Sequence, residues 1–363
     1  MPTTDDASAA APVLSVAATG GLVVSPFRGV RYVADRVSDL AAVTSPPYDV
    51  IDADDATHLE ALDPHNVVRL ILPRDPGSAT TPGVGSRYAH AADLLAGWRS
   101  EGVLARDPVP ALYVYEQSGR GILQRGVLAA VELRDPADRV VLPHEDVMPG
   151  PVADRLDLMR ATGANLEPIL LVYDGGGDTA RVVDEVVAGD PTLRTVSEDG
   201  LTQRVWVVTD PDLVARVQRD LAPRQALIAD GHHRWATYRR LQAERHAAGR
   251  GEGPWDRGLA MLVDSRTSPL RVAAIHRVVP GLPLDAALGA VAPVFRVRPA
   301  GDDLDQALAA LTAADGLHPF VLTDGTTFRL IEAPAATAVT AALPPERPAR
   351  WRSLDASVLH ALV

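Results

Sequence analysis

The densest group of chemically active side chains in this sequence is the run Asp230-Gly231-His232-His233-Arg234. A short apolar segment precedes the run and a segment with helical character follows it, which predicts a junction between a strand and a helix. Unpaired backbone N–H groups at the start of a helix attract anions, and a glycine turn followed by histidine and arginine suits a phosphate. The alternative is a simple helix cap with exposed histidines and a surface ion pair. Since a cap does not need three cationic or titratable side chains, the run favours a ligand site.

A second group lies nearer the amino terminus. His144, Glu145 and Asp146 are consecutive, and a proline-rich turn then precedes a predicted helix that carries Asp154 and Arg155. These acidic and imidazole groups suit a metal site or a proton-transfer site. An exposed turn followed by an acidic residue in the first turn of a helix explains the same pattern equally well. The two interpretations stay open at this point.

Two shorter segments complete the set of candidate residues. Tyr48 and Asp49 follow a Pro-Pro pair, which enforces an extended and rigid backbone. His276 and Arg277 end a predicted strand at 271–275. We predict that four segments converge on one cleft, namely residues 46–49, 144–155, 230–234 and 276–277.

The composition excludes several classes of chemistry. The chain has 363 residues, of which 47% are hydrophobic and 23% charged, so it has the composition of a globular protein. It contains no cysteine, and all 35 basic residues other than histidine are arginine, which excludes thiolate chemistry, Schiff bases and a Walker-type lysine. The net charge of −12 argues against nucleic-acid and membrane partners, and Arg239 and Arg240 beside Glu244 are interpreted as a solvated helix face. With no signal or membrane segment apparent, we expect a cytoplasmic location, and a homo-oligomer is compatible with the sequence.

Strand and helix patterns alternate along the whole chain, which predicts an α/β or α+β fold with a mixed sheet. The division expected is a flexible tail at 1–21, a main α/β unit at 22–279 that carries the site, and a smaller α+β unit at 280–363. Residues 66–73 are predicted to form a strand, and residues 86–99 a helix. The apolar face of that helix is expected to include Ala89, Ala92, Leu95 and Trp98. In the helix after Arg234, the side chains expected to face the interior are Trp235, Tyr238 and Leu241.

The chain resembles a widespread bacterial and archaeal family, domain of unknown function 1015 (DUF1015). The resemblance rests on the order of the segments SPFRGVRYV, PPYDVI, NVVRL, PHEDVMPGPVADRLDLMRATGANLEPILLVY, ADGHHRWATY and IHRVV, and it extends from about residue 22 to the C-terminus. Where this chain has His144-Glu145-Asp146, the family pattern is closer to Arg-His-Glu-Arg, which weakens a role for Asp146. The DGHHR segment also resembles, more loosely, the nucleotide-binding turn of the ParB/sulfiredoxin-like fold.

The ParB/sulfiredoxin-like resemblance implies one of three chemistries: sulfiredoxin repair, a CTP-gated DNA clamp or free-serine phosphorylation. The absence of cysteine excludes the first, and an acidic chain without an evident basic recognition helix argues against the second. The free-serine kinases carry a similar Asp-Gly-His-x-Arg turn. The resemblance therefore implies phosphoryl transfer between ATP or ADP and a small hydroxylated metabolite, with serine or phosphoserine favoured and Mg²⁺ as the metal.

This hypothesis gives each candidate residue a role. The expected phosphate-binding residues are Gly231, His232, His233 and Arg234. The expected catalytic residues are Asp49, Glu145, Asp230 and His233, with Asp49 or Glu145 as the base. Asp230 and Glu145 are expected to hold the metal, and the substrate-binding residues are expected to be Tyr48, His144, Arg155, His276 and Arg277.

Two alternatives belong to other classes of protein. A non-catalytic regulator that binds a nucleotide or a metabolite needs the phosphate site but no base. A metal-dependent phosphoester hydrolase would use the histidines of the candidate segments, namely His144, His232, His233 and His276. Adjacent histidines rarely chelate one metal together, which ranks the hydrolase lower.

Overall fold

The computed structural model describes residues 20–75, 86–270 and 276–362. The chain divides into two units, with the boundary between Arg271 and Val272. Residues 1–19 of the expected tail and the predicted strand at 271–275 lie outside the described residues. Within the described part of the chain, no helix combines the length and the apolar character needed to cross a membrane.

The larger unit alternates strands and helices. Its strands are β1 (Val24–Ser25), β2 (Val30–Tyr32), β3 (Leu104–Arg106), β4 (Leu112–Gly119), β5 (Ile122–Glu132), β6 (Val141–Leu142), β7 (Ile169–Tyr173), β8 (Leu193–Val196), β9 (Thr202–Val208), β10 (Ala226–Asp230) and β11 (Arg257–Asp264). Its helices are α1 (Ala53–Leu62), α2 (Val68–Ile71), α3 (Ser86–Ser100), α4 (Pro149–Thr162), α5 (Asp178–Val187), α6 (Pro211–Leu221) and α7 (His232–Ala247).

A nine-stranded mixed sheet organises this unit. Eight strands follow the order β6-β10-β7-β11-β5-β4-β9-β8, and β1 pairs with β5. Strands β4 and β5 form an antiparallel hairpin, whose two-residue turn has positive φ at both Arg120 and Gly121. A turn of this kind matches the twist of the two strands, which explains the glycine there. The predicted mixed α/β fold is confirmed.

The core lies between this sheet and the helices packed on it. Strand β7 reads ILLVY and buries Ile169, Leu171 and Tyr173, while α7 contributes Trp235 and Tyr238. The prediction for Trp235 and Tyr238 is therefore confirmed, and Leu241 is half-buried. Burial of such apolar side chains is the main favourable term in folding and fixes the start of α7 against the sheet.

One local prediction is wrong, and another is right for the helix at 86–99 and for Leu95 and Trp98 but wrong for Ala89 and Ala92. Residues 66–73 contain the short helix α2 in place of a strand, because Asn66 turns the backbone: its side-chain oxygen accepts the Val68 N–H (2.9 Å). Its amide nitrogen donates to two carbonyls of the preceding segment, at 2.8 and 3.0 Å. In α3, the buried side chains are Tyr88, Ala91, Leu95 and Trp98, whereas Ala89 is exposed and Ala92 half-buried. Tyr88 fixes this face because its hydroxyl donates to Asp154 (2.6 Å).

The smaller unit has its own sheet and core. Its elements are α8 (Leu284–Val291), β12 (Arg296–Pro299), α9 (Leu304–Thr312), β13 (Phe320–Thr323), β14 (Phe328–Glu332), α10 (Ala336–Ala342), α11 (Ala349–Arg352) and α12 (Asp355–Leu362). The strands form an antiparallel sheet in the order β12-β14-β13. Two apolar clusters include residues of this sheet, one around Phe328 and Leu330 and the other around Phe295 and Ile331.

Candidate functional site

Two neighbouring strand–helix units create the candidate site. Strands β6 and β10 are parallel neighbours, with Val141 opposite Ala226 and Leu142 opposite Leu227. Each is the last strand before a helix, α4 after β6 and α7 after β10. Ligands of α/β proteins commonly bind where such helices begin, beyond the carboxyl ends of the strands.

The two helices run parallel to each other from their first turns onward. The Met148 N–H, just before α4, donates to His233 Nε2 (3.1 Å). One turn later the Thr237 hydroxyl donates to the Val152 carbonyl (3.2 Å), and further along Arg160 donates to Glu244 (2.6 Å). The N-termini of α4 and α7 therefore lie side by side. We call this place the helix junction and define it by Met148, Gly150, Gly231 and His233.

The helix junction has the electrostatics of an anion site. Neither Met148 nor Gly231, the residues that precede the two helices, caps its helix with a side-chain hydrogen bond. The first turn of α7 therefore offers backbone N–H groups that its own helix does not use, whereas α4, whose Pro149 and Pro151 lack an N–H, adds only that of Gly150. The positive ends of the two parallel helix dipoles lie at the same place. Gly231 has φ +92°, and a Cβ there would lie 2.8 Å from Ile169 Cγ2, so the turn requires glycine. This arrangement can hold a phosphate or a carboxylate.

A histidine flank lies on one side of the junction and consists of His144, Glu145 and His232. The buried His232 ring accepts the His144 backbone N–H at Nε2 (3.3 Å), and its Nδ1 lies 3.0 Å from Glu145 Oε1. Since Nε2 is the acceptor, the proton of the neutral ring is on Nδ1 and faces the carboxylate. Burial lowers the pKa of His232, against the opposing effect of Glu145. The pair can therefore share or move a proton.

A cleft opens beside the histidine flank, along α7. Its volume is about 450 Å³, and its lining residues are Pro136, Pro143, Glu145, Asp146, Val147, Ile228, His232, Trp235, Ala236, Arg239 and Arg240. The α7 residues among them recur at helical spacing, so they form one face of the helix. Arg239 and Arg240, interpreted from sequence as a solvated helix face, therefore line a concave surface.

A tyrosine flank lies on the opposite face of α7 and consists of Tyr48, Arg155, Glu167 and Arg234. Tyr48 begins a short 3-10 turn (Tyr48–Val50). The Arg155 guanidinium carbon lies 4.0 Å from the centre of the Tyr48 ring, and that of Arg234 lies 6.0 Å from it. The PPYD and DGHHR segments therefore lie close together as predicted, but Tyr48, Arg155 and Arg234 are not among the residues that line the cleft. Asp49 is exposed on the same turn.

Comparison with known proteins gives one match. Residues 24–357 match the family model described as "Protein of unknown function (DUF1015)". The chain belongs to the DUF1015 family. Neither the curated proteins nor the solved structures contain a match to it. The evidence for a function of this DUF1015 protein therefore lies in the geometry of its site.

Within the described part of the DUF1015 chain, Arg155 and Arg234 are the two buried arginines, and both bind groups of the protein. Arg234 donates to Asp230 Oδ2 (2.6 Å) and to the Pro168 carbonyl (2.7 Å). Arg155 donates to Asp154 Oδ2 through Nε (2.8 Å) and Nη2 (2.5 Å), and to the Ile71 carbonyl (2.5 Å). These bonds hold the start of α7 in place and fix both guanidinium groups beside the Tyr48 ring. Phosphate binding by Arg234 and substrate binding by Arg155 stay predictions.

Glu167 belongs to the tyrosine flank but was missed from the sequence. Its side chain is 13% exposed, and its Oε1 accepts the Tyr48 N–H (3.2 Å). Burial raises the pKa of Glu167, while Arg234 lowers it. Burial also raises the pKa of Tyr48. The signal available in the sequence was a carboxylate placed directly before Pro168 and the apolar strand β7, where a buried acid needs a partner.

The remaining predicted residues belong to the other unit of the chain. His276 and Arg277 belong to the smaller unit, where the Arg277 Nε lies 2.9 Å from His360 Nε2. Their predicted role in substrate binding stays a prediction.

The histidine flank also brings together potential metal ligands. Ligand atoms of His144, Glu145 and His232 lie within 4.8 Å of one another. Of the residues predicted to bind a metal, Glu145 is in this group, whereas Asp230 pairs with Arg234. The donor set suits zinc or manganese better than magnesium, since two of its three ligands are imidazoles. However, the bond from the His144 N–H fixes the His232 proton on Nδ1, and a metal at Nδ1 would have to replace that proton.

Proposed function

We propose that this DUF1015 protein transfers a phosphoryl group between a nucleotide and a small hydroxylated metabolite, with serine and phosphoserine as the first candidates. The observation that carries the proposal is the helix junction, which has the histidine flank on one side and the tyrosine flank on the other. A phosphoryl group held at the junction would be reachable from the cleft on one side and from the Tyr48 turn on the other. Such an arrangement suits a reaction with two bound partners, because orientation supplies much of the catalysis of phosphoryl transfer.

The roles of the residues follow from this arrangement. The metabolite hydroxyl attacks phosphorus, the bond from phosphorus to the leaving oxygen of the nucleotide breaks, and the hydroxyl proton passes to a carboxylate. Asp49 is the base if the metabolite lies on the tyrosine flank, and Glu145 is the base if it lies on the histidine flank. His233 and the backbone around Gly231 bind the phosphate. Where Asp49 is the base, Glu145 and the phosphate oxygens would hold Mg²⁺, which would neutralise the phosphate charge when bound.

The test compares carboxylate variants in a transfer assay. Labelled phosphate is followed between ATP or ADP and L-serine, together with release of phosphate from phosphoserine. We expect the amide variant of the true base, Asp49→Asn or Glu145→Gln, to keep its nucleotide affinity and to lose about 10²–10⁴-fold in turnover. His233→Ala should weaken nucleotide binding instead. Glu252→Gln, at an exposed position beyond the end of α7, is the matched control and should behave as wild type.

A protein that binds nucleotide but transfers no phosphate to or from any hydroxylated metabolite would contradict the proposal. It would leave the non-catalytic regulator, for which Asp49→Asn and Glu145→Gln change nothing.

A metal-dependent phosphoester hydrolase is the second candidate. The observation that favours it is the group of His144, Glu145 and His232, of which Glu145 and His232 line the cleft. Metal analysis of the purified protein, together with phosphatase assays in added Zn²⁺ and Mn²⁺, separates the two candidates. One equivalent of bound zinc that is lost in His144→Ala, with phosphatase activity lost in parallel, would favour the hydrolase.

A further inference from the structure

The cleft extends along α7, away from the helix junction. His232 lies at the end near the helix junction, Trp235 and Ala236 follow one turn on, and Arg239 and Arg240 follow two turns on. Seven residues of α-helix separate His232 from Arg239, which corresponds to about 10 Å along the helix axis. The cleft is thus elongated and leads away from the phosphate-binding end.

The chemistry of the cleft changes along this length. Glu145 and His232 lie at the near end, and Asp146, next to Glu145 in the chain, is the other acidic residue of the lining. Trp235 and Ala236 lie at the middle of the α7 face, and the other lining residues outside α7 are apolar, namely Pro136, Pro143, Val147 and Ile228. At the far end, Arg239 pairs with Asp135 (3.1 Å). Arg240 lies 3.6 Å from Glu244, which already accepts two shorter hydrogen bonds from Arg160 (2.6 and 3.1 Å). Both guanidinium charges have a carboxylate partner, while the planar faces suit stacking on an aromatic ring.

We infer that this cleft binds the base and sugar of the nucleotide, with the base between the apolar wall and the guanidinium groups of Arg239 and Arg240. The inference rests on the proposed function, because the helix junction then holds the phosphates at the near end. An apolar middle favours a flat organic group over a second phosphate, which would be poorly solvated there. Charge-neutralised arginines favour stacking over anion binding. The cleft therefore determines that the phosphoryl donor is a nucleotide and not an inorganic polyphosphate.

The experiment compares ADP with inorganic pyrophosphate, which has two phosphates but no base. Affinities are measured by calorimetry for wild type, Arg240→Ala and Ala236→Phe. Ala236 is half-buried in the cleft, so a phenyl group there fills the space meant for the base. Loss of stacking should weaken ADP binding about 10-fold in each variant. Pyrophosphate binding should stay within about 2-fold of wild type in all three proteins.

Ala243→Phe is the matched control, since Ala243 is exposed on α7 and is not among the residues that line the cleft. It should bind ADP as wild type does. If Ala236→Phe does not fold, Arg240→Ala still tests the inference, because Arg240 is exposed and its truncation should not disturb folding.

Three results would overturn the base site. The first is wild-type protein that binds pyrophosphate as tightly as ADP, the second is unchanged ADP affinity in both cleft variants, and the third is an equal loss for both probes. The first and second results would not contradict the phosphate site or the proposed phosphoryl transfer. Wild-type protein that binds neither probe would overturn the proposed function as well.

Discussion

The two flanks of α7 differ in how their charged groups are used. On the tyrosine flank, Arg155 and Arg234 are buried and donate to carboxylates and carbonyls of the chain. On the histidine flank, Glu145 is 55% exposed in its side chain and faces a buried imidazole at the edge of a cleft. Buried charged groups whose hydrogen bonds are all made within the protein hold the structure in one conformation. Exposed titratable groups next to a cavity can instead contact a ligand. We therefore expect substitutions on the tyrosine flank to change stability first, and those on the histidine flank to change chemistry first.

The largest effect is expected at Gly231, which both flanks share. Gly231→Ala places a Cβ 2.8 Å from Ile169 at a φ of +92°. Left-handed backbone and crowding should together reduce the free energy of unfolding by about 3 kcal/mol and abolish nucleotide binding. Gly163→Ala is the control, since Gly163 also has positive φ (+62°) but has no neighbour within 4 Å of the added Cβ. Urea unfolding measures both. An equal loss in the free energy of unfolding for Gly231→Ala and Gly163→Ala would show that crowding at the junction is unimportant.

The next effect distinguishes the flanks directly. Arg234→Ala leaves the Pro168 carbonyl and the half-exposed Asp230 carboxylate without their donor, so we expect a loss of about 2 kcal/mol in the free energy of unfolding. Arg240→Ala removes an exposed guanidinium from the same helix and should change stability by less than about 0.5 kcal/mol. Thermal and urea unfolding test both variants. A stable Arg234→Ala protein with lost nucleotide binding would instead give Arg234 the phosphate-binding role predicted from sequence.

The histidine flank should make stability depend on pH. Burial lowers the pKa of His232, so the folded state binds fewer protons than the unfolded state below about pH 6.5. The free energy of unfolding should therefore fall as the pH drops from 6.5 toward the folded pKa. Protonation also removes the Nε2 acceptor of the His144 N–H, which should speed hydrogen exchange of that amide. In His232→Gln this pH-dependent component should disappear. If the free energy of unfolding depends on pH in His232→Gln as it does in wild type, the pH dependence belongs to another group.

The smallest effect is expected at Glu167 on the tyrosine flank. Because burial raises the pKa of Glu167, its charge at neutral pH costs folding free energy. Glu167→Gln keeps an oxygen that accepts the Tyr48 N–H and removes the charge, so stability at pH 7 should be unchanged or higher by up to about 1 kcal/mol. The difference from wild type should shrink as the pH falls through the pKa of Glu167. A clear loss of stability at pH 7 would show that the ion pairs with Arg155 and Arg234 dominate.

Sequence reasoning was most accurate where the signal is local. The predicted junction of a strand and a helix lies at Gly231, between β10 and α7, and the helix predicted at 86–99 is α3. The strand prediction at 66–73 was wrong because Asn66 bonds to Ala42 and Thr44, and pairing with a segment over 20 residues away leaves no local pattern.

The site was predicted in its residues but not in its arrangement. The sequence identified DGHHR, His144, Glu145 and Tyr48 as candidates, and the structure brings these segments to one helix. Their division between opposite faces of α7 depends on the register between β6 and β10, whose paired residues are 85 positions apart. No periodicity in the intervening chain encodes that register. Glu167 was missed for the same reason, since its partner Tyr48 lies 119 residues away.

The parallel pairing of β6 with β10 also has a kinetic consequence. The pairing closes a loop that contains α4, β7, α5, β8, β9 and α6, and such non-local contacts form slowly because the chain entropy must be lost before any contact is gained. The helix junction is therefore absent from any intermediate in which only the hairpins and single helices have formed. A refolding chain therefore completes the proposed ligand site only after β6 and β10 have paired, so ligand binding would be a stricter measure of native protein than recovered helix content.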